Sequence, residues 1–168
     1  MANGPKSEQD LREAFAGESQ ANRKYLAFAQ QAEKEGFTQV ARLFRAAAEA
    51  ETIHAHNHLR ALGGINATRE NLVEAIAGET HEFKNMYPQM IADAELEGAT
   101  EARRSFTFTN AVEKVHADLY QKALDSLGQP SDMFAYYICP VCGHTVEREA
   151  PKRCEVCGAA GTVFFPVG

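Results

Sequence analysis

Two short stretches of the 168-residue chain carry the residue types of a redox metal site: Glu51-Thr-Ile-His54 and Glu113-Lys-Val-His116. Residues three apart share one face of a helix. Each stretch can therefore turn a carboxylate and an imidazole toward the same point. Glu18 and Glu79 lie on otherwise apolar stripes elsewhere in the chain. Carboxylates from four helices, with one Glu-x-x-His pair on each of two of them, form the donor set of a carboxylate-bridged pair of iron or manganese ions. A third cluster differs in kind. Cys139-Pro-Val-Cys142 and Cys154-Glu-Val-Cys157 are each followed by glycine. This Cys-x2-Cys-x11-Cys-x2-Cys pattern can wrap one tetrahedral metal from two tight turns. Spacing alone does not separate a structural zinc ribbon from a redox iron centre.

The elements that must position these residues are helices. From Leu11 the positions Phe15, Glu18, Asn22, Tyr25, Ala29 and Ala32 step by fours and threes. Ser7 with Asp10 is the expected opening of this helix, and Gly36 its stop. A second helix is expected over Thr38–Leu62, ended by Gly63-Gly64. A third begins after Thr68 and runs past Glu79, Phe83, Met86 and Met90 to Gly98. A fourth carries Phe106, Glu113, His116, Tyr120 and Leu127 before Gly128-Gln-Pro130. Each apolar stripe is interrupted near its middle by a carboxylate. Burying one unpaired carboxylate is expensive. Any one of these glutamates taken alone reads as a surface residue. Four at one height make sense around a cation.

An internal repeat supports that reading. Ala14-Phe-Ala-Gly-Glu18-Ser matches Ala75-Ile-Ala-Gly-Glu79-Thr at an offset of 61, and the two Glu-x-x-His stretches match at 62. Tyr25 lies seven residues after Glu18, whereas Tyr87 lies eight after Glu79. One half carries an extra carboxylate, Glu82, where the other has Ala21. With Glu82 the set has seven members, and its five carboxylates bring −5 against the +4 of two divalent ions. Tyr25 and Tyr87 are candidates to hydrogen-bond the ligand carboxylates. His58, one turn beyond His54, reads as a core histidine or an outer support. His56 and His81 fall off the ligand face, and His144 sits in a turn without a metal role.

A net charge of −6 gives nucleic-acid binding no electrostatic support. No run of 18 apolar residues suggests a membrane span. The N-terminal residues lack the apolar core of a signal peptide, so the cytoplasm is the expected compartment. Residues 1–6 read as a loose tail, and Ser131 to Tyr137 as a linker entering a short strand. The stretch Thr162-Val-Phe-Phe-Pro is β-like. The expected division is residues 1–132 as a mainly α, four-helix di-metal bundle and residues 133–168 as a small β module. The latter is too short to hold a core without a metal staple.

These residues resemble the rubrerythrin family over nearly the whole chain. The resemblance rests on Phe15-Ala-Gly-Glu18, Ala50-Glu51-Thr-Ile-His54, Ala77-Gly-Glu79-Thr-His-Glu82 leading to Met86-Tyr87-Pro88, Glu113-Lys-Val-His116 and Cys139-Pro-Val-Cys142-Gly. It implies a ferritin-like di-iron bundle followed by a rubredoxin-like FeS4 module. The implied activity is reduction of hydrogen peroxide to water in oxidative-stress defence. Electrons would come through the FeS4 iron from a donor such as rubredoxin or an NAD(P)H-dependent reductase. Carried over by position, Glu51 and Glu113 bridge the irons. Glu18 is terminal on the first iron; Glu79 and His116 are terminal on the second. Glu82 and His54 exchange on the first iron between the oxidised and reduced states. The alternative of another class is a ferroxidase that handles iron as ferritins do. A built-in cysteine electron donor argues against it.

The short segment Gly63–Ala67 adds a topological expectation. Five or six residues reach at most about 20 Å, whereas a 25-residue helix is about 37 Å long. The link cannot run back along the bundle. The expected assembly is a homodimer with swapped helix pairs. In it, Glu18, Glu51 and His54 of one chain meet Glu79, Glu82, Glu113 and His116 of the other.

Overall fold

A computed structural model describes residues 5–130 and 132–168 of the chain. Of the loose tail expected at residues 1–6, residues 1–4 lie outside the described residues, as does the linker residue Ser131, whereas Pro5 and Lys6 belong to the start of the first helix. The chain divides into two compact units, Met1–Asn66 and Ala67–Gly168.

The first unit is a helical hairpin of α1 (Lys6–Lys34) and α2 (Thr38–Ala61). Ser7 and Asp10 do not cap α1. Pro5 stands at the N-cap, no side chain bonds the first turn, and Asp10 instead pairs with Lys6 one turn back. Proline supplies the entry because its fixed φ suits a helix start and no N–H is lost there. The stop at Gly36 is as expected. With φ at +85°, its amide donates to Glu33 O at 3.1 Å while that of Phe37 reaches Ala32 O at 2.8 Å. This paired closure needs a left-handed residue, which glycine adopts at least cost. Gly63 ends α2 in the same way.

Between the two helices the buried residues are alanines: Ala29 and Ala32 on α1, and Ala41, Ala48 and Ala55 on α2. The α2 positions recur every seven residues, which keeps a small-residue seam facing one partner. Asn22 ties the seam across, with Nδ2 donating to Ala48 O at 2.7 Å and to Thr52 Oγ1 at 2.9 Å. Thr52 is the neighbour of Glu51, so this bond sets the height of the ligand residue on α2.

In the second unit the third rod is not one regular helix. α3 (Thr68–His81) passes into a π turn over Glu82–Met86 and continues as α4 (Tyr87–Leu96). Both segments lie along α5 (Thr100–Asp125). Pro88 at the start of α4 lacks an N–H, and the π turn ends just before it. After α5 come β1 (Tyr136–Ile138), β2 (Thr145–Glu147) and β3 (Phe165–Val167) in an antiparallel sheet ordered β2-β1-β3. Tyr137 pairs with Val146 on one side and with Pro166 on the other. Pro166 is tolerated because β3 is an edge strand. The β-like reading of Thr162–Pro166 holds only in part: Gly161–Val163 forms a 3-10 turn and the strand starts at Phe165. Cys139, Cys154 and Phe164 form the small core of this module.

Candidate metal centre

On the first hairpin, Glu18 of α1 and Glu51 and His54 of α2 bring one donor atom each within 4.8 Å of one another. His54 Nδ1 lies 2.9 Å from Glu51 Oε2. In the second unit, Glu79 of α3 and Glu113 and His116 of α5 form the matching set within the same 4.8 Å. There His116 Nδ1 lies 2.7 Å from Glu113 Oε2 and 3.8 Å from Glu79 Oε1. The repeat seen in the sequence is thus a repeat of geometry, with the same ring nitrogen turned to the same carboxylate oxygen. The copies differ in cover: the side chain of His54 is 54% exposed and that of His116 28%.

In the second unit the carboxylates are partly buried and crowd one another. Burial, then the Glu113 carboxylate beside it and the charge of Glu82, push the Glu79 carboxyl from 4.5 up to about 7. Burial and Glu113 also raise Glu82, against the opposing pull of His81 and His116. Glu82 thus feels the charge of this cluster although it is not within the three-donor set. Crowding of this kind is relieved by a positive ion. Oxygen-rich donors with one imidazole per set suit iron or manganese.

The cysteine cluster meets a stricter test. The two turns are built alike: Gly143 N donates to Cys139 O at 2.9 Å, and Gly158 N to Cys154 O at 3.0 Å. Cys139 N and Cys154 N close the loops onto His144 O and Ala159 O. The sulfur pairs Cys139–Cys157 and Cys142–Cys154 are each 3.6 Å apart. A disulfide is about 2.05 Å long, so these are four thiols around a common point. A tetrahedron with metal–sulfur bonds of about 2.3 Å has edges of about 3.8 Å. Burial raises Cys142 against the bond it accepts from the His144 amide. For Cys154, burial is outweighed by the amides of Cys157 and Val156, which hold it lowered to about 7.

Tyr87 is raised by burial and by the charges of Glu82, Glu113 and Glu79, which sets it beside the carboxylates. Tyr25 packs on Phe28 and Phe44, and among the described residues its hydroxyl makes no bond to Glu18 or Glu51. His56 and His81 are exposed, and His58 is half-buried. His144 is buried, at 5% exposure, with Nδ1 unpartnered.

Two residues near the second set escaped the sequence reading. Tyr120 is raised by burial and by the charges of Glu79 and Glu113. Its signal was available, since it lies four residues after His116 on the same stripe. Thr145, whose Oγ1 is 3.0 Å from His116 Nε2, had none.

Two Glu-x-x-His donor sets on paired helices, followed by a four-cysteine ribbon, define a ferritin-like carboxylate–histidine di-iron protein with a rubredoxin-like module. Comparison with known proteins gives the family. The Rubrerythrin family model matches residues 10–124. Rubrerythrin-2 of Clostridium acetobutylicum is 39% identical over 171 residues, covering 92% of each chain. Nigerythrin of Nitratidesulfovibrio vulgaris is 34% identical over 163 residues, covering 89% of this chain and 80% of its own. A solved structure of nigerythrin in its fully reduced, all-ferrous state aligns with a TM-score of 0.59 at 30% identity, over 99% of this chain and 89% of that one. The chain belongs to the rubrerythrin family. The carboxylate–histidine sets and the four-cysteine cluster are its iron sites. Among the described residues, no helix is long and apolar enough to cross a membrane.

Proposed function

We propose that this protein is a non-haem di-iron peroxidase, in which residues 1–132 act as the di-iron bundle and residues 133–168 as its FeS4 electron donor. One observation carries the reading. The chain holds two equivalent Glu-x-x-His donor sets and a separate four-sulfur site, so one polypeptide has both a place to reduce substrate and a source of electrons. Ferrous iron held by the bundle residues would supply the two electrons that, with two protons, convert hydrogen peroxide to two waters.

The protein residues have distinct parts in this. Glu51 and Glu113 would hold both irons, Glu18 and Glu79 one each, and His116 would be the constant imidazole donor. Glu82 and His54 would serve as alternative donors to the remaining position. In support, His54 is the more exposed of the two histidines, and Glu82 stands close to Glu113 but outside the three-donor set. Tyr87, which feels the charges of Glu82, Glu113 and Glu79, would donate a hydrogen bond to these carboxylates; Tyr25 makes no such bond within its own hairpin and would take the same part only in the assembled site.

The working form is a homodimer with exchanged helix pairs. Among the described residues each unit brings three donors within 4.8 Å, about half of the seven-member set, and the link Leu62–Ala67 is too short to run back along a helix. A cytoplasmic rubredoxin or an NAD(P)H-dependent reductase would refill the FeS4 iron. The test is anaerobic. The protein is reduced, hydrogen peroxide is added, and the visible band of the ferric FeS4 centre is followed. Fast reappearance of the band is expected; its absence overturns the peroxidase reading.

A further inference from the structure

Inside the second unit, the four-cysteine module meets α5 through a hydrogen bond that the roles above do not use. His116 Nε2 is 3.0 Å from Thr145 Oγ1, and Thr145 Oγ1 is 3.1 Å from Gly143 O. A carbonyl oxygen only accepts, so the threonine hydroxyl donates to Gly143. Its lone pair must then accept from His116 Nε2–H. Nδ1 is left to face Glu113 Oε2 at 2.7 Å, the side on which the donor set converges. Gly143 is bonded covalently to Cys142, and its amide donates to Cys139 O. A continuous chain thus runs from the first cysteine turn through the Gly143 carbonyl and the Thr145 hydroxyl to His116. The bond also lies in the wall of a 380 Å³ cleft lined by Leu119, Tyr120 and Ile138. In the first hairpin, His54 makes no such second bond among the described residues.

We propose that Thr145 is the positioning residue that locks the His116 ring and couples the four-cysteine centre to the di-iron site. The proposal rests on the peroxidase reading for its electron flow. Each transfer oxidises a ferrous iron of the four-cysteine site by one electron and reduces the bundle pair by one. No bond forms or breaks at Thr145. Its hydroxyl holds the tautomer and orientation of the imidazole and keeps the cysteine turn at bonding distance. The difference between the two repeats follows: the anchored histidine is the constant donor, and the unanchored His54 is free to leave.

The test compares the wild-type protein with Thr145→Val, which keeps shape but loses the hydroxyl, and Thr145→Ser, which restores it. In the zinc-loaded, diamagnetic protein, long-range 15N–1H spectra should show His116 protonated at Nε2 with slow exchange. Exchange should become fast in Thr145→Val and slow again in Thr145→Ser. In the reduced iron protein mixed with peroxide, reoxidation of the FeS4 band should slow about tenfold in Thr145→Val and recover in Thr145→Ser. Wild-type spectra without a protected Nε2–H overturn the bond. Equal FeS4 rates in Thr145→Val and wild type overturn the coupling, whatever the spectra show. If the wild type shows no peroxide-driven oxidation at all, the peroxidase reading fails, and the spectra still decide the bond. Thr145→Ala, read by the same two measurements, replaces Thr145→Val should that variant misfold.

Discussion

Tyr87 follows Glu79 by eight residues, one more than Tyr25 follows Glu18, yet Tyr87 still stands within reach of the Glu79 charge. The π turn Glu82–Met86 absorbs the extra residue. In a regular helix each residue rotates by about 100°, so one insertion would swing everything beyond it off the face. A π turn confines the change to one turn, and such turns are frequent at functional sites.

Deleting Asn85 should therefore be tolerated, because it returns the turn to an ordinary α-helix with Tyr87 still in phase. Deleting Ala75, upstream in regular helix, should not be. Thermal unfolding distinguishes the two. Equal losses of stability would show that the π turn does not carry the insertion.

Carboxylate crowding at Glu79 predicts a pH effect in protein stripped of metal. Its folded-state pKa of about 7 lies above the ordinary 4.5. The folded state thus binds the extra proton, and this contribution to stability is fully present below about pH 4.5 and lost as pH rises through about 7. Glu79→Gln should stabilise the metal-free protein at pH 8 by on the order of 1 kcal/mol, seen as a higher unfolding temperature, and change its stability little at pH 4.5. With iron bound the same substitution should weaken the site. Calorimetry in the presence and absence of chelator reads both.

The swapped dimer has a complementation test. Chains carrying Glu18→Ala are co-expressed with chains carrying Glu113→Ala. In an exchanged heterodimer one site collects both mutations and the other none, so about half the iron and peroxidase activity returns. In unexchanged bundles every site carries one mutation and nothing returns. Purified heterodimers, selected by two affinity tags, show which holds.

Asn22 should matter to the first hairpin out of proportion to its size. Its amide bonds both Ala48 O and Thr52 Oγ1 across an alanine seam that offers little apolar area. Asn22→Ala should cost about 1–2 kcal/mol by denaturant unfolding. It should also lower iron retention, through the loosened neighbour of Glu51.

Metal should hold the β module together. Its buried core is little more than Cys139, Cys154 and Phe164. Cys139→Ser should abolish the FeS4 absorption and make the segment after Ala135 exchange its amides rapidly, while α1, α2 and α5 keep their protection. Hydrogen exchange followed by mass spectrometry reads each segment.

Much of this was written locally. Helical period, glycine stops and the Glu-x-x-His spacing act within one or two turns, so the four helical rods and the six core donors could be read from order alone. The two cysteine turns were equally legible, because each is closed by its own glycine amide. Other features depended on neighbours that the order of residues does not name. Ser7 and Asp10 have the composition of a cap, but Lys6 and Pro5 won the local competition. The eight-residue spacing to Tyr87 was visible as an irregularity, but whether a π turn or a rotated helix would resolve it depended on packing against α5. Tertiary structure alone brought Thr145, 29 residues away in sequence, to His116 Nε2. Ligand types and their spacing are properties of the chain. Which imidazole is anchored and which is free is decided only when a second element arrives to offer the other ring nitrogen a partner.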